Sequence, residues 1–291
     1  MPADLAPVSP DRARDHVAVG LIVADDGRLL LQLRDNRPGL EAAGKWGFFG
    51  GHLLPGERPS EAFLREMREE LGWRPRHVEK YAVREVDDAD WQVTAHAFAA
   101  HLDVETDALV LGEGQRLGLH DPAALPPDTA DGARAVIAEF VASDVYRRVR
   151  RRYDVITSTG LLVDRAGRFL LQLRDEKPSI ANPGKWGSFG GEVEPGEPPD
   201  EGFARELQEE LGWAPARFEL YGAYPYRTGE AWQLIYAYAA LVDVPPEALT
   251  LGEGQDLGFF APDALPAAVV PDLARLIAEF AQSETYARLR A

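Results

Sequence analysis

The chain has 291 residues, 45% of them apolar, which is enough for two domains of ~100–150 residues with a core each. Its net charge of −17 is shared between 18 basic and 26 acidic side chains in residues 1–150 and 13 against 22 in 151–291, so neither half has the basic excess that nucleic-acid or anionic-membrane binding requires. The absence of cysteine excludes disulfides, thiolate metal sites and thiol nucleophiles. No apolar run approaches the ~18–20 residues of a membrane span, and MPADLAPVSPDRARDH lacks a secretion-signal core, so the cytoplasm is the expected location.

Residues 1–15, rich in Pro, Ala and charge, read as a mobile arm. From His16 the run VAVGLIVADDGRLLLQLRD predicts two strands joined by a tight hairpin at Asp26-Gly27. Next comes GKWGFFGG (Gly44–Gly51), whose glycines imply a sharp turn or a close backbone approach. The stretch GHLLPGERPSEAFLREMREELGW, from Gly51 to Trp73, predicts a helix of about three turns, with Pro59 suited to its first position and Gly72 to its C-terminal cap. On a helical wheel Phe63, Leu64, Met67 and Leu71 form a buried stripe, Glu66, Glu69 and Glu70 flank it on one side, and Arg65 and Arg68 fall on the other. Ala62 sits at the angle of the glutamates and leaves room for the preceding loop. An aromatic strand-prone segment from Trp91, the loop ALVLGEGQRLGL and a helical pattern AVIAEFVASDVYRRVRRR complete the half.

The second half repeats this order at an offset of 140: VITSTGLLVDRAGRFLLQLRD, GKWGSFGG, GEVEPGEPPDEGFARELQEELGW (Gly191–Trp213), ALTLGEGQDLGF and RLIAEFAQSETYARLR. The offset slips to 141 at Trp91/Trp232 and returns to 140 by Phe98/Tyr238, which predicts one insertion and one deletion at the strand ends. Duplication of a whole domain is the economical reading. It divides the chain into an arm (1–15), a first domain (16–148) and a second (149–291). The basic run RRVRRRY at the junction reads as a solvated helix terminus.

Three glutamates at i, i+3 and i+4 repel one another by ~0.2–0.5 kcal/mol per pair, so a chain that places them there twice, while changing neighbours such as Met67/Leu207, has a cation to put among them. Both stretches resemble the box of the Nudix family, G-x5-E-x7-R-E-U-x-E-E-x-G-U with U a bulky apolar residue. Gly51, Glu57, Arg65, Glu66, Glu69, Glu70 and Gly72 match it in one copy, and Gly191, Glu197, Arg205, Glu206, Glu209, Glu210 and Gly212 in the other. The resemblance implies an α/β fold of two tandem α/β/α sandwiches, each a mixed sheet flanked by helices. It also implies Mg2+- or Mn2+-dependent hydrolysis of a nucleoside diphosphate linked to a further group. Carried over by position, Glu66, Glu69 and Glu70 with the carbonyl of Gly50, and Glu206, Glu209 and Glu210 with that of Gly190, would hold the metal. Arg65 and Arg205 would orient these carboxylates, with Glu57 and Glu197 as partners. An acidic protein acting on a diphosphate needs such cations to neutralise phosphate oxygens and activate a water.

Outside the box, Glu113 and Glu253 in identical Gly-Glu-Gly-Gln loops resemble the late-loop base or extra ligand of many family members, against the alternative of a solvated carboxylate. Arg34 and Arg174 contact a phosphate or pair with a neighbour, and Trp46 and Trp186 stack on a base or are buried. Two departures from the family pattern stand out: Phe-Gly-Gly replaces Pro-Gly-Gly before each box, and Leu54 stands where the second copy has Glu194. All six histidines lie in the first half, so chemistry common to both copies does not use imidazole. The expected partners are a small diphosphate substrate, with no nucleic acid or membrane, and the two copies as an internal pseudo-dimer. The alternatives are a nucleotide-sensing module, or one catalytic copy with one that binds or regulates.

Overall fold

A computed structural model describes residues 15–40, 42–88 and 91–291, which divide into two compact units between Arg151 and Arg152. The expected arm lies outside the described residues except for Asp15, which opens the first strand.

In the first unit β1 (Asp15–Val23) and β2 (Leu29–Leu33) are joined by the Asp26-Gly27 turn, where Gly27 has φ 85°. The chain continues through β3 (Trp46–Gly47), β4 (Phe49–His52), helix α1 (Pro59–Leu71), β5 (Val78–Asp88), β6 (Trp91–His101) and β7 (Arg116–His120). The sheet runs β3-β2-β1-β6-β5, with β4 beside β1 and β7 beside β2. It is mixed because β1 and β6 are parallel while the other pairs are antiparallel.

Side chains alternate across a strand, so the sheet has two apolar faces. Ala18, Ile22, Leu30 and Phe98 form a core with Phe63, Met67 and Leu71 of α1. Leu21, Val23, Leu29, Leu31 and Trp46 form the other with α2 (Asp131–Phe140) and α3 (Asp144–Val149). The closing helical pattern is thus two helices. Ser143 ends the first by donating to Phe140 O and starts the second by accepting from Tyr146 N–H at 3.1 Å. The basic run is only partly solvated, because Arg148 grips the buried Glu79 through Nε and Nη2.

The second unit repeats the plan with β8 (Val155–Val163), β9 (Phe169–Leu173), β10 (Trp186–Gly187), α4 (Pro199–Leu211), β11 (Phe218–Thr228), β12 (Ala231–Leu241), β13 (Asp256–Phe260), α5 (Pro271–Phe280) and α6 (Glu284–Arg290). Again one core faces the box helix and the other the closing helices. The strand register corrects one expectation. Asp88 pairs with Trp91 as Thr228 pairs with Ala231, and Val93 pairs with Asp15 as Gln233 pairs with Val155. The offset is therefore 140 throughout the hairpin, with no insertion or deletion. Trp91 and Trp232 occupy successive register positions, and their shared Trp-Gln is not a structural correspondence.

Candidate active site

Helix α1 starts and stops where its end residues dictate. Pro59 takes the first position, where no N–H is needed, and the Glu61 carboxylate reaches back to the Arg58 N–H at 2.9 Å. Gly72 adopts the left-handed conformation that ends the helix, as Gly212 does after α4. Phe63, Met67 and Leu71 are fully buried and Leu64 partly so, which fixes the face that carries the glutamates.

That face meets a turn with no room for side chains. A Cβ on Gly50, whose φ is 135°, would lie 2.0 Å from the Ala18 carbonyl oxygen. A Cβ on Gly51 would lie 2.5 Å from Glu66 Oε1, and one on Gly191 2.3 Å from Glu206 Oε2, so the first box glycine is empty space into which a carboxylate fits. Glu70 Oε2 accepts the Gly50 N–H at 2.7 Å and Oε1 accepts from Gln32 Nε2 at 3.4 Å. Glu210 does the same with Gly190 (2.8 Å) and Gln172 (3.2 Å). Both carboxyls are buried. Burial pushes each pKa up to about 7, aided by the charges of Glu66 and Glu113 or of Glu206 and Glu253, while the hydrogen bonds oppose the rise.

Arg65 organises the rest. Its Nε and Nη2 form a fork on Glu57 (2.9 and 3.0 Å), Nη1 donates to Glu66 at 2.6 Å and Glu69 at 3.1 Å, and Nη2 also donates to the His52 carbonyl. Arg205 makes the corresponding contacts to Glu197, Glu206, Glu209 and the Glu192 carbonyl. The guanidinium therefore lies on the glutamate side, not across the stripe from it. A helical wheel places Cα atoms, and Arg65 is one turn from Glu69 with a side chain long enough to reach three carboxylates. Glu57 is held below the usual carboxylate range by the Arg65 hydrogen bonds.

The Gly-Glu-Gly-Gln loop packs on the helix end. Val110 and Gly112 donate backbone N–H groups to the Leu71 and Glu70 carbonyls at 3.0 and 2.8 Å, and Gln115 donates to Leu33 and, through its side chain, to Arg34. Glu113 is brought close enough for its charge to raise the Glu70 pKa. In the second unit Glu210, Glu253 and Arg174 line one cleft of about 430 Å3 with Gln172 and Lys177. Arg174 Nε donates to the Ala181 carbonyl at 2.9 Å, and Lys177 pairs with Asp175.

The tryptophans fall elsewhere. Trp46 is buried in the core against α2 and α3, with its ring against His120, and Trp186 packs beside the equivalent core against Phe260. Both lie on the face of their sheet opposite the box helix, so neither offers a ring to a base bound at the carboxylates. Gln32, Gln172 and Lys177 join the candidates from the structure; only the buried position of the glutamines between apolar neighbours, in both copies, marks them in the sequence.

Among the described residues no three His, Cys, Asp or Glu side chains stand ready to enclose a cation. In the first unit Arg65 Nη1 donates to both Glu66 and Glu69. The donor set itself fits a divalent cation with oxygen ligands: a carboxyl whose proton affinity is raised by burial, and further by two adjacent acids, gains from a positive charge beside it.

A family model described as the NUDIX domain matches residues 14–140 and again 155–280. The chain belongs to the Nudix hydrolase family. The match covers both units, each with its own copy of the Nudix box. A CTP pyrophosphohydrolase of Escherichia coli (strain K12) is 43% identical over 54 residues, a match that spans 19% of this chain and 38% of that relative. The MutT protein of Methanosarcina mazei Go1 is 26% identical, with a TM-score of 0.37 over 44% of this chain and 96% of its own. The ORF135 protein of E. coli is 28% identical, with a TM-score of 0.38 over 47% and 94%.

Proposed function

We propose that each unit is a divalent-cation-dependent hydrolase that cleaves the diphosphate bond of a nucleoside diphosphate linked to a further group. The observation that carries this reading is the buried, high-pKa carboxyl of Glu70 and Glu210 set among further acids, twice, beside a glycine turn. The name of the E. coli relative, a CTP pyrophosphohydrolase, supports a nucleotide phosphoanhydride as the bond attacked.

Glu66, Glu69 and Glu70 with the Gly50 carbonyl, and Glu206, Glu209 and Glu210 with that of Gly190, would hold Mg2+ or Mn2+. Such an ion would supply charge neutralisation for the phosphate oxygens and would lower the pKa of water, so that hydroxide is available at neutral pH. Arg65 and Arg205 orient the carboxylates through their hydrogen bonds to Glu57, Glu66 and Glu69 and to Glu197, Glu206 and Glu209. Burial keeps bulk water from Glu70 and Glu210. Glu113 and Glu253 accept the proton of the attacking water at a carboxylate oxygen, or serve as an additional ligand. Arg174 and Lys177, and Arg34 in the first copy, contact phosphate.

A panel of nucleotide diphosphate compounds incubated with Mg2+ or Mn2+ tests the reading on wild type, Glu70→Gln, Glu210→Gln and the double variant. Each single variant retains the turnover of the intact copy and the double variant releases no product. Binding without cleavage by wild type would refute hydrolysis, and silence of one single variant would refute two working sites.

A further inference from the structure

We propose that Gln32 and Gln172 are positioning residues that fix the carboxylates of Glu70 and Glu210 for the cation and tie them to two neighbouring segments. This rests on the cation-dependent reading above.

Both glutamines are 3% exposed, on strands whose other buried residues are leucines and, in the second copy, Phe169. A buried primary amide is costly unless its hydrogen bonds are made, and packing alone would be served by another apolar residue. Gln32 Nε2 donates to the Phe48 carbonyl at 3.0 Å and toward Glu70 Oε1 at 3.4 Å. Gln172 Nε2 donates to the Ser188 carbonyl and Glu210 Oε1, each at 3.2 Å. Carbonyl and carboxylate oxygens only accept, so these partners force the nitrogen toward them and the amide oxygen the other way. That oxygen faces the late loop: a Cβ on Gly114 would stand 2.9 Å from Gln32 Oε1, and one on Gly254 3.1 Å from Gln172 Oε1. One amide therefore fills the space between the strand ahead of the Gly-Gly turn, the box helix and the loop that carries Glu113 or Glu253.

The other oxygen of each carboxylate accepts the N–H of Gly50 or Gly190. Each carboxylate is thus held at both oxygens by different segments and does not rotate without losing one bond. Supporting groups of this kind typically govern metal affinity by about 10–100-fold.

The test uses the full chain carrying Glu66→Gln and Glu70→Gln, so that the second copy is read alone. Mn2+ binding is measured without substrate by the resonance signal of the free ion, on the parent, Gln172→Leu, Gln172→Met and Glu210→Gln. Both glutamine variants keep the bulk and lose the donors. The expected result is a Kd for Mn2+ raised about 10–100-fold in variants that urea unfolding in EDTA shows to be folded, at a midpoint lowered by the loss of the donor to the Ser188 carbonyl. Variants that fold and bind Mn2+ as the parent does overturn the proposal. If Glu210→Gln also binds as the parent does, the cation reading itself fails. A second measurement needs no substitution: in side-chain 15N-labelled wild type, the Gln32 and Gln172 amide resonances shift on addition of Mg2+, and resonances that stay in place overturn the assignment.

Discussion

Removing the charge of Glu70 and Glu210 makes the metal-free protein resist high pH, although the same change abolishes hydrolysis. The folded-state pKa of each carboxyl is about 7, against 4.5 for an ordinary glutamate side chain. Between these two values the folded chain holds a proton that the unfolded chain has released. The folded state thus binds more protons there, and stability falls as pH rises from about 4.5 to 7, at about 1.4 kcal/mol per unit for one group. From pH 5 to pH 8 the loss is on the order of 2–3 kcal/mol per domain, or roughly 1–2 M in urea midpoint. Glutamine at both positions has no such proton to lose. The assay is urea unfolding in EDTA at several pH values, followed by tryptophan fluorescence, for wild type and the Glu70→Gln/Glu210→Gln variant. Other carboxylates, such as Glu57, contribute slopes of opposite sign, but they are common to both proteins and cancel in the difference. Wild type then loses its stability relative to the variant as pH rises, and saturating Mg2+ removes the loss. Parallel pH profiles for the two proteins would refute the assignment of a buried, destabilising charge.

Four further outcomes follow from the geometry. Gly50→Ala places a Cβ 2.0 Å from a backbone oxygen at φ 135° and destabilises the first domain by about 2 kcal/mol or more, whereas Gly51→Ala meets only the movable Glu66 carboxylate and lowers turnover more than stability; urea unfolding and hydrolysis in a Glu210→Gln background separate the two. Arg65→Lys loses the fork on Glu57 and destabilises by roughly 1–3 kcal/mol, read as a lower urea midpoint, with a higher Mg2+ requirement for turnover. Glu253→Gln in a Glu70→Gln background lowers kcat by about 10²–10⁴-fold if the loop carboxylate takes the proton, and by less than tenfold if it is merely solvated. Trp46→Phe leaves KM unchanged and lowers the unfolding midpoint, since its ring is core.

The box helix was legible because its signals are local. Pro59 and Gly72 bracket it, a four-residue stripe orients it, and the glutamates follow from that orientation. The side of Arg65 was not legible from a wheel, which carries no side-chain length. The place of Trp46 depends on strand register: one residue decides which face of the sheet a side chain joins, and the glycine-rich segment ahead of the box has too few alternating residues to fix it. Gln32 stands between leucines with nothing local to mark its role, because its partners come from segments 16 and 38 residues away. The false insertion near Trp91 arose from matching a Trp-Gln pair by identity, where the hydrogen-bond ladder keeps a constant spacing.

The late loop is fastened at both ends, to the last carbonyls of α1 through Val110 and Gly112 and to β2 through Gln115, and the second unit repeats this through Thr250, Gly252 and Gln255. A loop so held does not swing as a lid without uncapping the helix that bears the other acids. The exposed Glu113 side chain between its two glycines is free to turn about its own bonds. If Glu113 takes the proton as proposed, it reaches it by a rotamer change, on the picosecond-to-nanosecond scale, and not by the microsecond-to-millisecond closure that sets the pace of many enzymes.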